Sequence, residues 1–189
     1  MNPSHIIGLV GTPGAGKSFV SDYILENYGG EHVKFSDFLS HVLKKMALEK
    51  SRENMIKLSV TLRNEFGDEL LSHAVASEAV RSEKDIVLVD GIRRIGDLAA
   101  FSPLPAFKLI AINADPKIRY ERMKGRGEKA GETNMTWEEF ETTEKAPTEI
   151  TIPETMTRAD YSIMNNGTAE ELKEEIDKVM KEIGISKKS

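Results

Sequence analysis

The stretch His5-Ile-Ile-Gly-Leu-Val10, followed by Gly11-Thr-Pro-Gly-Ala-Gly16-Lys17-Ser18, decides the fold. Its first six residues form a short apolar run that predicts a buried strand, and the glycines after them predict a turn. The next segment, Lys17 to Tyr28, predicts a helix that ends at Gly29-Gly30. The turn fits the pattern G-x-x-x-x-G-K-[S/T], which binds phosphate when it joins a strand to a helix in this way.

The chemistry of this loop follows from its residue types. Its glycines let successive backbone N–H groups turn toward phosphate oxygens, and the helix that follows adds a partial positive charge. Lys17 can reach the β- and γ-phosphates, while the Ser18 hydroxyl can bind Mg²⁺. We therefore predict that a nucleoside triphosphate is bound by Gly11, Thr12, Pro13, Gly14, Ala15, Gly16, Lys17, Ser18 and Phe19.

The rest of the chain alternates short apolar runs with longer amphipathic stretches. This alternation predicts an α/β protein, a three-layer α/β/α sandwich around a parallel five-stranded sheet. The later strands are predicted at 33–36, 86–89, 107–112 and 160–164. Three later helices are predicted at 38–49, 51–66 and 68–81. A further helix should begin at Pro116, another at the capping box of Thr136 and Glu139, and the last at the capping box of Thr168 and Glu171. Residues 125–153 are polar and too long for an ordinary connection, which predicts a lid.

Composition narrows the class of protein. A chain of 189 residues with 39% hydrophobic and 30% charged residues is typical of one globular domain. Without cysteine it has no disulfide, iron–sulfur cluster or thiolate zinc site. The formal charge of −5 argues against a nucleic-acid partner. No apolar run nears the roughly 18 residues of a membrane span, and the N-terminus does not resemble a signal peptide. We expect a cytoplasmic protein without a membrane partner, and the sequence leaves its oligomeric state open.

The third predicted strand ends in Asp90-Gly91-Ile92-Arg93-Arg94. Open α/β sheets bind ligands at the carboxyl ends of their strands, so Asp90 is placed to hold Mg²⁺ through water. The paired arginines either bind a ligand there or are solvated loop cations. A GTPase would carry an Asn-Lys-x-Asp motif, which this chain lacks, and a motor or AAA+ ATPase would carry an acidic pair after this strand.

A concentrated positive charge follows the fourth predicted strand. Residues 117–129 contain six basic and two acidic side chains. A helix would align Arg119, Arg122 and Arg126 on one face, leading into the lid. Arginines that close over a triphosphate stabilise the charge of the transferring phosphoryl group. We predict catalytic roles for Lys17, Arg122 and Arg126 and a nucleotide contact for Arg119. The alternative is an ordinary solvated helix face.

The motifs together resemble a known group. The loop, the Asp90–Arg94 element, the run Asp115-Pro-x-x-Arg-x-x-Arg-x-x-x-Arg126 and the segment Ala159–Thr168 occur in the order found in the nucleoside-monophosphate-kinase branch of P-loop proteins. The last segment is similar to dephospho-CoA kinases. The stretch Arg52–Gly67 is similar to an archaeal family of adenylate-kinase-related, dephospho-CoA-kinase-like proteins.

The resemblance implies a single P-loop kinase domain with an acceptor-binding helical region at about 37–82, a lid at about 125–153, and ATP with Mg²⁺ as the nucleotide. It implies that Arg63 and Arg93 grip the phosphate of a small-molecule acceptor and that Asp37 matches a family aspartate. Asp37 would take the proton of a ribose hydroxyl or, if the acceptor is a phosphate, orient metal or ligand. The alternative is that Asp37 caps a helix beginning at Phe38.

Two positions depart from the family pattern. Ser40 stands where adenylate kinases place an acceptor-gripping arginine, and Phe140–Lys145 lacks an Arg-Asp pair that the archaeal family carries in its lid. Either Lys129 or Lys145 takes over the missing cation, or transfer is slow or absent. The prediction is an ATP-dependent kinase acting on a nucleoside monophosphate. The alternatives are phosphorylation of a dephospho-CoA-like ribose hydroxyl and a nucleotide-binding regulatory ATPase without kinase activity.

Overall fold

The computed structural model describes residues 3–126 and 135–188, with Arg126 by its backbone alone. Five strands form one parallel sheet of order β2-β3-β1-β4-β5, which confirms the predicted fold class. They are β1 (His5–Val10), β2 (Glu31–Lys34), β3 (Ile86–Asp90), β4 (Phe107–Asn113) and β5 (Tyr161–Met164). Almost every residue of β1, β3 and β4 is buried, as expected for short apolar runs in a parallel sheet.

Eight α-helices and a short 3-10 helix (Ile95–Leu98) accompany these strands within the described residues, and the last helix follows the last strand. Both predicted capping boxes are confirmed: Thr136 and Thr168 accept hydrogen bonds from the backbone N–H groups of Glu139 and Glu171. The helices are α1 (Lys17–Asn27), α2 (Phe35–Lys45), α3 (Arg52–Phe66), α4 (Leu70–Ala79), α5 (Pro116–Arg126), α6 (Trp137–Glu144), α7 (Ile152–Met156) and α8 (Ala169–Ile183).

The sequence prediction was wrong at the junction of β2 and α2. β2 ends at Lys34 and α2 begins at Phe35, two to three residues earlier than predicted. Lys34 holds the N-cap position without a side-chain hydrogen bond. Asp37 therefore lies in the first turn of α2 and does not cap it, although its charge there favours the positive end of the helix.

The chain divides into two compact units, each built from two segments. The first unit comprises residues 1–8 and 30–108, and the second comprises residues 9–29 and 109–189. An aromatic cluster lies in the core of the first unit: the ring centroid of Phe101 is 6.5 Å from that of Phe35 and 5.3 Å from that of Phe107. Phe101 is fully buried, so this cluster anchors the chain between β3 and β4.

The second unit is held together by polar contacts as well as by its apolar core. The Asp160 carboxylate accepts the backbone N–H of Leu109 at 2.8 Å, which ties β4 to the start of β5. The C-terminal tail packs on the end of α1, where Lys188 N–H donates to Asn27 O at 2.8 Å. Among the described residues, no helix is both long and apolar enough to cross a bilayer.

Candidate functional site

The loop Gly11–Ser18 lies in the second unit between β1 and α1, as predicted. Gly14 and Gly16 have φ angles of +77° and +103°, a backbone region that disfavours side chains. A Cβ at Gly11 would lie 2.3 Å from the Ile112 carbonyl oxygen, and one at Gly14 would lie 2.7 Å from the Arg119 carbonyl oxygen. The loop therefore needs glycine for its conformation and for close contact with the backbone around it.

Lys17 and Ser18 open α1 at the end of this loop. The Lys17 ammonium donates to the Gly11 carbonyl oxygen at 2.6 Å and to that of Thr12 at 3.4 Å, so the side chain folds across the loop. Ser18 is exposed. The Thr12 hydroxyl is buried and has no hydrogen-bond partner among the described residues. These positions hold a cation, an accessible hydroxyl and a hydroxyl with bonding capacity in one short loop, which suits a phosphate ligand.

Asn165 supports the loop from the segment after β5. Its side chain is buried and donates from Nδ2 to the Ala15 carbonyl oxygen at 2.8 Å. A Cβ at Gly16 would lie 2.3 Å from the same Nδ2 atom. Asn165 was not predicted as a site residue; the only sequence signal was its place in the segment that resembles dephospho-CoA kinases.

Arg122 contacts this supporting residue. Its guanidinium donates to the Asn165 carbonyl oxygen at 3.0 Å and to Asn165 Oδ1 at 3.2 Å. Arg122, Asn165 and Ala15 thus form a continuous series of hydrogen bonds from α5 to the loop. The predicted catalytic role of Arg122 stays a prediction, and the structure places its guanidinium against Asn165.

Arg119 is buried, with 5% of its surface exposed. Its Nε donates to the Ala114 carbonyl oxygen at 3.0 Å, and its terminal nitrogens form an ion pair with the Glu144 carboxylate at the end of α6. The guanidinium also lies 5.3 Å from the ring centroid of Phe140. Arg119 therefore joins α5 to α6 in this structure. The side chain of Arg126, Lys129 and residues 127–134 of the predicted lid lie outside the described residues.

Asp90 ends β3 in the first unit, and β3 pairs in parallel with β1. Its Oδ1 accepts the Gly91 backbone N–H at 2.7 Å, and its Oδ2 lies 3.9 Å from His32 Nε2. A quarter of the side chain is exposed (26%). Carboxylate and hydroxyl oxygens are the ligands that Mg²⁺ prefers, so Asp90 and Ser18 fit this ion by donor type.

The two predicted acceptor-binding arginines differ in their surroundings. Arg93 is exposed, whereas the Arg63 guanidinium donates to Ser59 and, at 2.7 Å, to Asp97 Oδ1. Asp97 is almost fully buried, and its Oδ2 accepts the backbone N–H of Arg93 at 2.9 Å. Asp97 was not predicted, because nothing in its local sequence marks it. Asp37 is exposed in the first turn of α2.

Each unit contains a cavity. One of about 490 Å³ in the second unit is lined by Thr12 and Pro13 of the loop and by Arg119 and Glu144. The larger one, about 830 Å³, lies in the first unit beside Gly30 and Arg81 and contains none of the predicted site residues. The smaller cavity is the one with a chemical connection to the candidate site.

Comparison with known proteins identifies the family of this chain. A family model described as an AAA domain matches residues 10–141. The UPF0200 protein TK1334 of Thermococcus kodakarensis is 33% identical in an alignment of 189 positions, which covers 96% of this chain and 99% of that protein. The chain belongs to the UPF0200 family. This confirms the resemblance drawn from its motifs to P-loop kinase-like proteins.

Several solved structures that are similar to this UPF0200 chain are kinases by name. A shikimate kinase from Bacteroides thetaiotaomicron matches with a TM-score of 0.62 at 11% identity, over 96% of this chain and 99% of the other. A dephospho-CoA kinase from Campylobacter jejuni matches with a TM-score of 0.54 at 14% identity, over 95% of this chain and 97% of the other. At these identities the likeness establishes the P-loop kinase-like fold.

Proposed function

We propose that this UPF0200 protein is an ATP-dependent kinase that transfers the γ-phosphoryl group to a small phosphorylated acceptor, a nucleoside monophosphate. The observation that carries the proposal is the loop Gly11–Ser18, in which positive φ angles and close backbone contacts require glycine, and Lys17 folds across the loop. The kinase-like fold supports the same conclusion.

The reaction we propose is an in-line transfer under electrostatic stabilisation. Backbone N–H groups of the loop bind and orient the phosphates, and Lys17 neutralises charge on the β- and γ-phosphates. Ser18 and Asp90 would hold Mg²⁺, which would supply positive charge to the phosphate oxygens. Arg122 and Arg126 would add positive charge as the phosphoryl group transfers.

For the acceptor, we propose that its phosphate is held in the first unit, which contains both predicted acceptor-binding arginines, Arg63 and Arg93. A phosphate acceptor needs no strong base. A ribose hydroxyl does, and the exposed carboxylate of Asp37 could supply one. The second candidate is therefore phosphorylation of a dephospho-CoA-like hydroxyl, which the fold of the dephospho-CoA kinase favours. Asp37→Ala should abolish transfer to a hydroxyl and leave most transfer to a phosphate.

A regulatory ATPase without kinase activity is a third candidate. Two observations favour it. The family model is described as an AAA domain, and Arg119, which was predicted to contact the nucleotide, forms an ion pair with Glu144. This candidate requires ATP hydrolysis that does not respond to any small acceptor.

The deciding experiment incubates the pure protein with ATP and Mg²⁺ against each nucleoside monophosphate and against dephospho-CoA, and follows ADP and the phosphorylated product. Transfer to a monophosphate supports the proposal, and transfer only to dephospho-CoA supports the second candidate. Tight ATP binding without transfer to any of these acceptors contradicts both kinase candidates and favours the regulatory ATPase.

A further inference from the structure

Asp97 connects two segments of the first unit through one buried carboxylate. It lies in the 3-10 helix Ile95–Leu98 and is 1% exposed. Its Oδ1 accepts a hydrogen bond from Arg63 at 2.7 Å, and its Oδ2 accepts the backbone N–H groups of Arg93 and Arg94 at 2.9 and 3.2 Å. One side chain thus fixes the backbone at both arginines that follow β3.

The same turn is fastened to α4 by Ser72, which is fully buried. The Ser72 hydroxyl donates to the Asp97 carbonyl oxygen at 2.8 Å and accepts the Ala100 backbone N–H at 3.0 Å. The turn therefore has fixed contacts on both its side-chain and its backbone groups. Buried polar groups with complete hydrogen bonding hold a local structure in one conformation.

The Arg63 guanidinium points inward. Only 9% of its side chain is exposed, its terminal nitrogens donate to Ser59 and Asp97, and its Nε is buried without a partner among the described residues. Both terminal nitrogens of Arg63 thus already contact side chains of the protein, and its third nitrogen is buried, so the guanidinium offers little accessible surface to a phosphate. The charge of Arg63 instead balances that of Asp97, and an isolated carboxylate would be very costly at this depth.

We propose that Arg63 and Asp97 are positioning residues, which set the backbone that presents Arg93 to the acceptor, and that Arg93 makes the phosphate contact. This inference rests on the proposed kinase function and changes the role of Arg63 from ligand to support. Specificity for a phosphorylated acceptor then depends on a carboxylate that never touches it.

The test is a double-mutant cycle of Arg63→Met, Asp97→Asn and the double variant, with Arg63→Lys as the conservative change. Arg158→Met, an exposed arginine that follows α7, and Asp85→Asn, an exposed aspartate that precedes β3, are the matched controls. Each single variant should raise the acceptor KM about tenfold or more while the KM for ATP changes less than about twofold. The double variant should be no worse than Arg63→Met, because it no longer leaves Asp97 uncompensated, and Arg63→Lys should recover most of the acceptor affinity.

A second readout keeps the positioning role testable even if no acceptor is found. The backbone amide signals of Arg93 and Arg94 are followed by NMR in each variant, with inorganic phosphate titrated as the probe. Both signals should shift in Asp97→Asn and in Arg63→Met before phosphate is added, and Arg93→Ala should weaken phosphate binding.

Unchanged amide signals in Asp97→Asn would overturn the positioning role. An acceptor defect in the double variant equal to the product of the two single defects would return Arg63 to the role of ligand. A failed acceptor screen with the expected NMR result would instead count against the kinase function alone.

Discussion

Lys17 is the residue on which the proposed chemistry depends most. Its ammonium lies 2.6 Å from the Gly11 carbonyl oxygen and would carry the positive charge closest to the β- and γ-phosphates. Lys17→Ala should lower turnover by about a hundredfold or more, since it removes the charge that holds the β- and γ-phosphates. Steady-state kinetics and circular dichroism measure the two effects. Lys117→Ala, an exposed lysine of α5, is the control and should keep wild-type turnover. Normal turnover in Lys17→Ala would remove the loop from the mechanism.

Asp177 should make the C-terminal tail sensitive to acid. Partial burial opposes its ionisation, but hydrogen bonds from Lys187, Tyr28 and Tyr23 outweigh it and lower the pKa of Asp177. A carboxyl whose pKa is lowered by folding stabilises the native state above its ordinary pKa, and this stabilisation disappears as the pH falls through the lowered pKa. Wild type should therefore lose more stability than Asp177→Asn between about pH 5 and about pH 2.

Urea unfolding at a series of pH values measures this difference, and Asp22→Asn, an exposed aspartate of α1, provides the control. Parallel pH profiles for wild type and Asp177→Asn would contradict the assignment. The sequence alone gave no sign of this cluster, because Tyr28 and Asp177 are 149 positions apart and meet only in the folded protein.

The same limit explains which site residues could be predicted. The position of Gly16, Lys17 and Ser18 between β1 and α1 could be predicted, because one local pattern contains both the residues and their backbone geometry. Asn165 and Asp97 could not be, because each acts through partners from other elements: Ala15 in one case, and Arg63 with the backbone after β3 in the other. A sequence motif identifies residues that contact a ligand more readily than it identifies the residues that hold them in place.

At the scale of elements, α5 and α6 are joined by the ion pair of Arg119 and Glu144. Arg119 is 5% exposed, so removing its partner leaves a buried cation without compensation. Glu144→Gln should lower the free energy of unfolding by about 1–3 kcal/mol, measured by urea denaturation. Glu138→Gln, on the exposed side of α6, should change it by about 0.5 kcal/mol or less. Equal effects of the two substitutions would mean that the pair contributes nothing to stability.

Element boundaries could be predicted where a capping side chain marks them. α6 and α8 begin at their capping boxes, and Ser51 caps α3 by accepting the Asn54 N–H. α2 begins at Phe35 without a side-chain cap, so the pattern offered no marker and the prediction was late by three residues. α7 was not predicted: it has only five residues, too few for a helical period to stand out.

At the scale of the whole molecule, the five-stranded parallel sheet could be predicted from the alternation of strands and helices, but the strand order needed the structure. The order places β3 beside β1. The loop Gly11–Ser18 follows β1 in the chain, and the element Asp90–Arg94 begins at the last residue of β3. The proposed nucleotide residues then fall in the second unit, and the proposed acceptor residues fall in the first.

This division predicts that the two ligands protect different segments of the chain. ATP with Mg²⁺ at a hundred times its Kd should stabilise the protein by about 2.7 kcal/mol, or raise its Tm by about 5–11 °C. Hydrogen exchange should slow first in residues 11–18, and addition of the acceptor should slow exchange at Arg93 and Arg94. In Lys17→Ala, ATP should no longer slow hydrogen exchange in residues 11–18, because the loop no longer holds the phosphates. Protection of the loop by ATP that persists unchanged in Lys17→Ala would place the nucleotide elsewhere on the molecule.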